Sequence, residues 1–302
     1  MQEVFTFSPD CECLTHHSSP LTSKEQMIKY YSINGELVPK EEATLGVTDL
    51  AIQRGYGLFD YFLVKKGQPL FFEDYLDRLE RSSALMRLQL PFSREEIKHQ
   101  IMQLIRANGM QEAGMKLILT GGYSPDGYAP AQPNLIILQS PLPVYPKTKY
   151  EEGVKLMLFE YHRTLPSAKS INYLIGVNLL PEMQAAGAED ILFHANGNIY
   201  ETTRANFFIV KNDNTIVTAG SGVLMGITRL KTVELAKRHF NIEEREVKLT
   251  ELETAKEAFL TSSTKGIMPV VRVDDLVVGD GKPGAVTKRL AGLLEEEVER
   301  IP

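Results

Sequence analysis

The spacing of apolar residues divides the chain into short strands and a few helices. Residues 27–40 alternate about Asn34-Gly35 and predict a hairpin, since Asn-Gly supplies the left-handed positions of a tight turn. Apolar and aromatic residues within 50–72 flank Lys66-Gly67, a second hairpin. Asp74 opens a helix in which Leu76, Leu79, Leu85 and Leu88 fall near helical spacing, and Ser93 caps another that Gly109 ends. Strands are expected at 115–120 and 134–140. The Gly/Pro-rich loop between them is long enough to act as a lid.

Prolines stiffen 141–147 into a linker. Beyond it the pattern predicts a strand at 154–160, a helix-length segment that Pro181 divides, a short strand at 191–193 and a turn at Asn196-Gly197. A strand ending at Glu201 follows, then a helix within 222–240 with Thr228 as its N-cap. A strand from 258 closes on Ser262 and Ser263, and the C-terminal segment is an amphipathic helix. These elements predict an α+β protein of two domains. A smaller one spans 27–144, a linker 145–150, and a larger one, a β-meander flanked by helices, 151–302.

Length supports that division, because 302 residues exceed the ~250 at which single cores stop growing. A net charge of −6 with no basic block argues against nucleic acid or an anionic membrane surface as partner. Apolar runs are too short to span a bilayer and residues 1–26 lack a signal core, so a cytoplasmic protein is expected. Cys11 and Cys13, near His16 and His17, are the only cysteines. Their spacing is unlike structural zinc sites, and the polar stretch 1–26 reads as a disordered tail with no metal.

Two residues carry candidate chemistry. Lys169 stands before the divided helix, where a helix dipole and partial desolvation would free its amine, and Glu201 ends a strand. Taken singly, both are ordinary solvated surface types. Brought to one pocket, an amine can attack an aldehyde carbon while a carboxylate holds a ring nitrogen protonated.

The wording around them decides between these readings. Residues 169–174 (KSINYL) and 201–208 (ETTRANFF) resemble the lysine and glutamate motifs of the class IV aminotransferases. That pyridoxal 5'-phosphate family includes branched-chain and D-amino acid aminotransferases and aminodeoxychorismate lyases. The likeness runs from about residue 30 to the C-terminus. It takes in DYLDRL around Arg78, the Leu-Met-Gly-Ile-Thr-Arg of 224–229 with Met225 for the commoner proline, and Gly55, Leu58, Phe59 and Asp60. Arg54 and Tyr56 depart from the family's commoner residues. So does the loop with Gly121 and Asp126-Gly127-Tyr128, where D-amino acid enzymes carry a basic pair.

The resemblance implies a fold type IV enzyme, a homodimer whose pockets are each roofed by a partner loop. Lys169 would be the catalytic base and cofactor anchor. Arg78, Ile227, Thr228 and Ser263 would hold the phosphate, and Glu201 and Tyr173 would tune the ring, while Asn206 would support the backbone. Phe59 and Tyr61 on the substrate side suit an amino acid that is branched-chain or otherwise hydrophobic, with a 2-oxo acid as acceptor. Two alternatives stay open: a lyase releasing pyruvate, and a catalytically silent binding protein of the same fold.

Overall fold

Two sheets organise residues 28–301, which the computed structural model describes. Cys11, Cys13, His16, His17 and Met27 lie outside them. The first sheet holds β1 (Tyr30–Ile33), β2 (Glu36–Pro39), β3 (Gly57–Lys65), β4 (Gln68–Pro69), β5 (Ala113–Thr120) and β6 (Leu135–Ser140). Its order is β2-β1-β6-β5-β3-β4, antiparallel throughout. Asn34-Gly35 and Lys66-Gly67 turn its two hairpins with positive φ.

Side chains alternate across β3: Leu58, Asp60, Phe62 and Val64 are buried on one face, and Phe59, Tyr61 and Leu63 are half-buried on the other. Helices α1 (Leu50–Arg54), α2 (Phe72–Leu85) and α3 (Arg94–Asn108) belong to this half of the chain. Leu76 and Leu79 of α2 and Ile97, Ile101 and Leu104 of α3 pack with Leu58, Phe62, Val64, Leu117 and Leu119 into one core. The other face of β3 and β5 is thereby left for a site. Helix α2 starts at Phe72, before the expected Asp74, because Phe71 already turns the chain with a left-handed φ of 49°. Helix α3 runs as expected from a Ser93/Glu96 capping box to a left-handed Gly109, and such a cap contributes about 1 kcal/mol.

The second sheet comprises β7 (Val154–Glu160), β8 (Asp190–Ala195), β9 (Asn198–Thr202), β10 (Asn206–Val210), β11 (Ile216–Ala219), β12 (Ile242–Arg245), β13 (Val247–Lys248), β14 (Glu257–Ser262), β15 (Gly266–Val273) and β16 (Leu276–Val277). A meander describes only part of it. Strand β7 runs parallel to both β8 and β15, and β11 runs parallel to β12. Strand β10 pairs with β14 and, through Asn206 opposite Glu201, with β9. The path β10-β14-β15-β7-β8-β9 therefore closes on itself, and Glu201 sits at the closure.

Helices α4 (Thr148–Glu151), α5 (Leu174–Asn178), α6 (Leu180–Ala185), α7 (Ile227–His239) and α8 (Ala285–Glu299) accompany this sheet. Pro181 opens α6 and so separates it from α5. All five residues of β10 are buried because both of its faces are covered. Phe207 and Ile209 point into the closed sheet, and Phe208 and Val210 meet α7 and α8. Phe208 stacks on Phe259 at 4.7 Å between centroids. Among the described residues no helix is long and apolar enough to cross a membrane, and no three metal-ligating side chains cluster.

Candidate active site

Lys169 lies in an extended segment beside β3. The Phe59 N–H donates to its carbonyl at 2.8 Å, the Ile171 N–H donates to Gly57 at 3.0 Å, and Ser170 bridges Leu58. This pairing excludes helix, and α5 begins only at Leu174. The expected helix dipole is therefore not what acts on the amine. Burial pushes Lys169 down to about 7, with Arg78 and then Arg163 adding like-charge repulsion against the opposing pull of Asp60 and Glu201. Part of the side chain stays solvent-accessible because it lines a cavity, yet protein surrounds the amine and a small cavity cannot solvate an ammonium as bulk water does. Its Nζ stands 4.5 Å from the centre of the Phe59 ring. Tyr173, at the cap of α5, meets the same ring edge-on at 5.5 Å.

Glu201 is buried on the wall of the same cavity. Its Oε1 accepts from Arg163 Nη1 at 3.1 Å and its Oε2 from the Leu224 N–H at 3.0 Å. Burial raises its proton affinity, and Arg163 and the Leu224 amide oppose that shift. Asn206 donates from Nδ2 to the Leu224 carbonyl at 2.7 Å and reaches Glu201 Oε2 at 3.5 Å, fixing the loop that leads into α7. A Cβ on Gly226 would stand 2.3 Å from Asn206 Oδ1, so only glycine allows this approach. Gly226, and not the expected Thr228, is the cap of α7.

Thr228 is thus the second helical residue. Leu230 is the first to donate within α7, to Gly226, which, among the described residues, leaves the N–H groups of Ile227 and Thr228 unpaired at a positive helix end, and both residues line the cavity. Arg78 is buried nearby. Its Nε and Nη2 grip Asp60 at 3.0 and 2.5 Å, while Nη1 has no acceptor among the described residues. Tyr75, also buried, shares a hydrogen bond of 2.7 Å with Ser263 Oγ. Thr261 Oγ1, on the same wall, is buried without a partner.

An open cavity of about 400 Å³ adjoins this one, walled by Phe59, Tyr61, Lys116 and Ile118 on the free face of β3 and β5. Tyr61 reaches over Gly114, where a Cβ would meet its hydroxyl at 1.9 Å. A larger cavity of about 580 Å³ lies between α2 and α8, behind Tyr75; it contains neither Lys169 nor Glu201 and is not where their chemistry occurs. The loop 121–133 lines neither of the first two cavities, and neither do Arg54 and Tyr56. Asp49 bridges Tyr123 and Ala131 donates to Gly121, which keep that loop beside α1.

The structure thus brings Lys169, Tyr173, Glu201, Arg78, Ile227, Thr228 and Ser263 to one cavity, with Phe59 in the next. Sequence reasoning passed over Arg163 and Arg204. Both sit in loops, where no periodicity points to them.

This set fits pyridoxal phosphate: an amine that burial makes easier to deprotonate, an acid on the wall of the same cavity, and free amide donors with an unpartnered hydroxyl for an anion. The sequence pattern of one family, Amino-transferase class IV, matches residues 57–273. The chain is 29% identical over 272 residues to a D-alanine aminotransferase of Bacillus licheniformis, covering 88% of this chain and 95% of that one. Its fold is similar to that of a branched-chain amino acid aminotransferase of Escherichia coli, with a TM-score of 0.84, 26% identity and coverage of 90% and 95%. A 4-amino-4-deoxychorismate lyase of Pseudomonas aeruginosa is similar too, with a TM-score of 0.78, 28% identity and coverage of 89% and 99%. The chain belongs to the class IV aminotransferase family.

Proposed function

We propose that the protein is a pyridoxal phosphate-dependent aminotransferase that moves the amino group of an amino acid to a 2-oxo acid. The observation that carries this reading is the Lys169 amine, its proton affinity lowered by burial, in one cavity with a buried carboxylate and a free helix start. Bound there, pyridoxal phosphate supplies an aldehyde carbon and a protonated ring that draws electrons from the substrate.

Lys169 Nζ would anchor the cofactor and would move the proton at the substrate α-carbon. Glu201 would hold a proton at the ring nitrogen, and the proton affinity that burial raises suits sharing one with a pyridine. The amides of Ile227 and Thr228, the Thr228 and Ser263 hydroxyls and Arg78 Nη1 hold the phosphate. Tyr173 supports the ring from beside Phe59.

Phe59, Tyr61, Ile118 and Ile171 give the open cavity an apolar wall that suits a branched-chain or other hydrophobic substrate. Val47, Ile52, Tyr123 and Tyr128 are exposed around α1 and the 121–133 loop, an apolar patch that supports a homodimer. We take the chain as two domains, to about residue 144 and from about 151. Each is organised by its own sheet.

Mixing the cofactor-loaded protein with leucine and no acceptor tests the reaction. An aminotransferase releases one equivalent of the 2-oxo acid and stops until an acceptor is added. Release of pyruvate from aminodeoxychorismate without an acceptor would instead support the lyase.

A further inference from the structure

Five side chains line both the cofactor cavity and the open one: Lys169, Tyr173, Arg204, Ser262 and Ser263. Four of these are the anchor, its aromatic neighbour and the hydroxyl turn. Arg204 is the remaining one. The bond changes must occur at this seam, because Lys169 acts there, and a substrate's α-carboxylate lies one bond from the carbon that reacts. The carboxylate therefore falls at the seam too.

Arg204 is placed and charged to meet it. It sits in the turn between β9 and β10, where Thr202 Oγ1 accepts from the N–H groups of Arg204 at 3.4 Å and Ala205 at 2.9 Å. Its Nε lies 3.8 Å from Asp190 Oδ2, too far for a hydrogen bond. Asp190 already accepts from the Ile191 N–H, the Thr202 and Thr203 hydroxyls and Lys265. The terminal nitrogens of Arg204 have no acceptor among the described residues. Lys116, a further cation of the open cavity besides Lys169, stands 5.2 Å from the Phe59 ring centre and does not line the cofactor cavity. No carboxylate side chain lines the open cavity.

We infer that Arg204 binds the substrate's α-carboxylate and so selects 2-amino and 2-oxo acids over amines and aldehydes lacking it. The inference rests on the aminotransferase reading of the site. A planar guanidinium with two free nitrogens matches a carboxylate in a bidentate pair.

Calorimetric titration of the cofactor-loaded protein with 4-methylpentanoate and with its amide tests the contact without any reaction, since neither carries an amine. The wild type is expected to bind the acid about tenfold or more tighter than the amide. Arg204→Met should abolish that preference with cofactor absorbance and Tm unchanged, Arg204→Lys should restore part of it, and Lys116→Met should keep it. Equal binding of acid and amide by the wild type would overturn the inference. So would a preference that survives in Arg204→Met, or one that disappears in Lys116→Met instead. If Arg204 governs acid binding but leucine yields no 2-oxo acid, the transamination reading fails and the contact stands.

Discussion

Arg163 donates from Nη1 to Glu201 Oε1 at 3.1 Å and from Nη2 to the carbonyl of Ala168, the neighbour of Lys169, at 3.0 Å. One guanidinium thus ties the acid wall of the cavity to the segment that carries the amine. It also lowers the proton affinity of both groups.

Replacing it, as Arg163→Gln, should cost about 10²-fold in kcat with a smaller change in KM, the scale of losing one oriented electrostatic contact. Lys169 should also titrate higher. Steady-state kinetics and a pH titration of cofactor absorbance check both, and an unchanged kcat would remove Arg163 from the account.

Cofactor capture should depend on pH through the amine. A free Lys169 reacts and its ammonium does not, so the rate of pyridoxal phosphate uptake by apoprotein should rise with pH and level above about 7. An ordinary lysine would keep rising to about 10.4. Stability has the same origin. Between these two values the unfolded chain binds the proton that the folded one has released, so apoprotein stability should climb with pH there, and Lys169→Met should flatten the slope. Stopped-flow absorbance and denaturant titrations measure the two effects.

Asp60 and Arg78 should separate folding from binding. Asp60→Ala leaves a guanidinium buried and unpaired, expected to cost about 3–5 kcal/mol in chemical denaturation. The double variant Asp60→Leu with Arg78→Met should recover most of that stability and still bind pyridoxal phosphate more weakly, about tenfold or more, as the proposed phosphate role of Arg78 requires. Recovery of both would mean that Arg78 only serves the fold.

Much of this architecture was legible in the residues. The Asn34-Gly35 and Asn196-Gly197 turns and the caps at Ser93 and Gly109 obey local rules, so local sequence located them. Local spacing puts Lys169 at a helix mouth, whereas its extended shape comes from pairing with β3, more than a hundred residues earlier. Thr228 has the chemistry of a cap, but the packing of Asn206 against Gly226 moved the cap two residues upstream. Arg163 and Arg204 gave no local signal, since Arg163 meets Glu201, and Arg204 comes near Asp190, only through the folded sheet. The parallel pairings of β7 leave no mark in the sequence for the same reason: parallel register is set by long crossovers, which apolar spacing does not encode.

Borohydride reduction of the cofactor-loaded protein, followed by peptide mass mapping, bears most directly on Lys169 as the anchoring amine facing Glu201. A single phosphopyridoxyl label on Lys169, absent from Lys169→Ala and still present in Glu201→Gln with kcat reduced about 10²-fold or more, is the expected result. Label on Lys116 or Lys265 with Lys169 unmodified would contradict it.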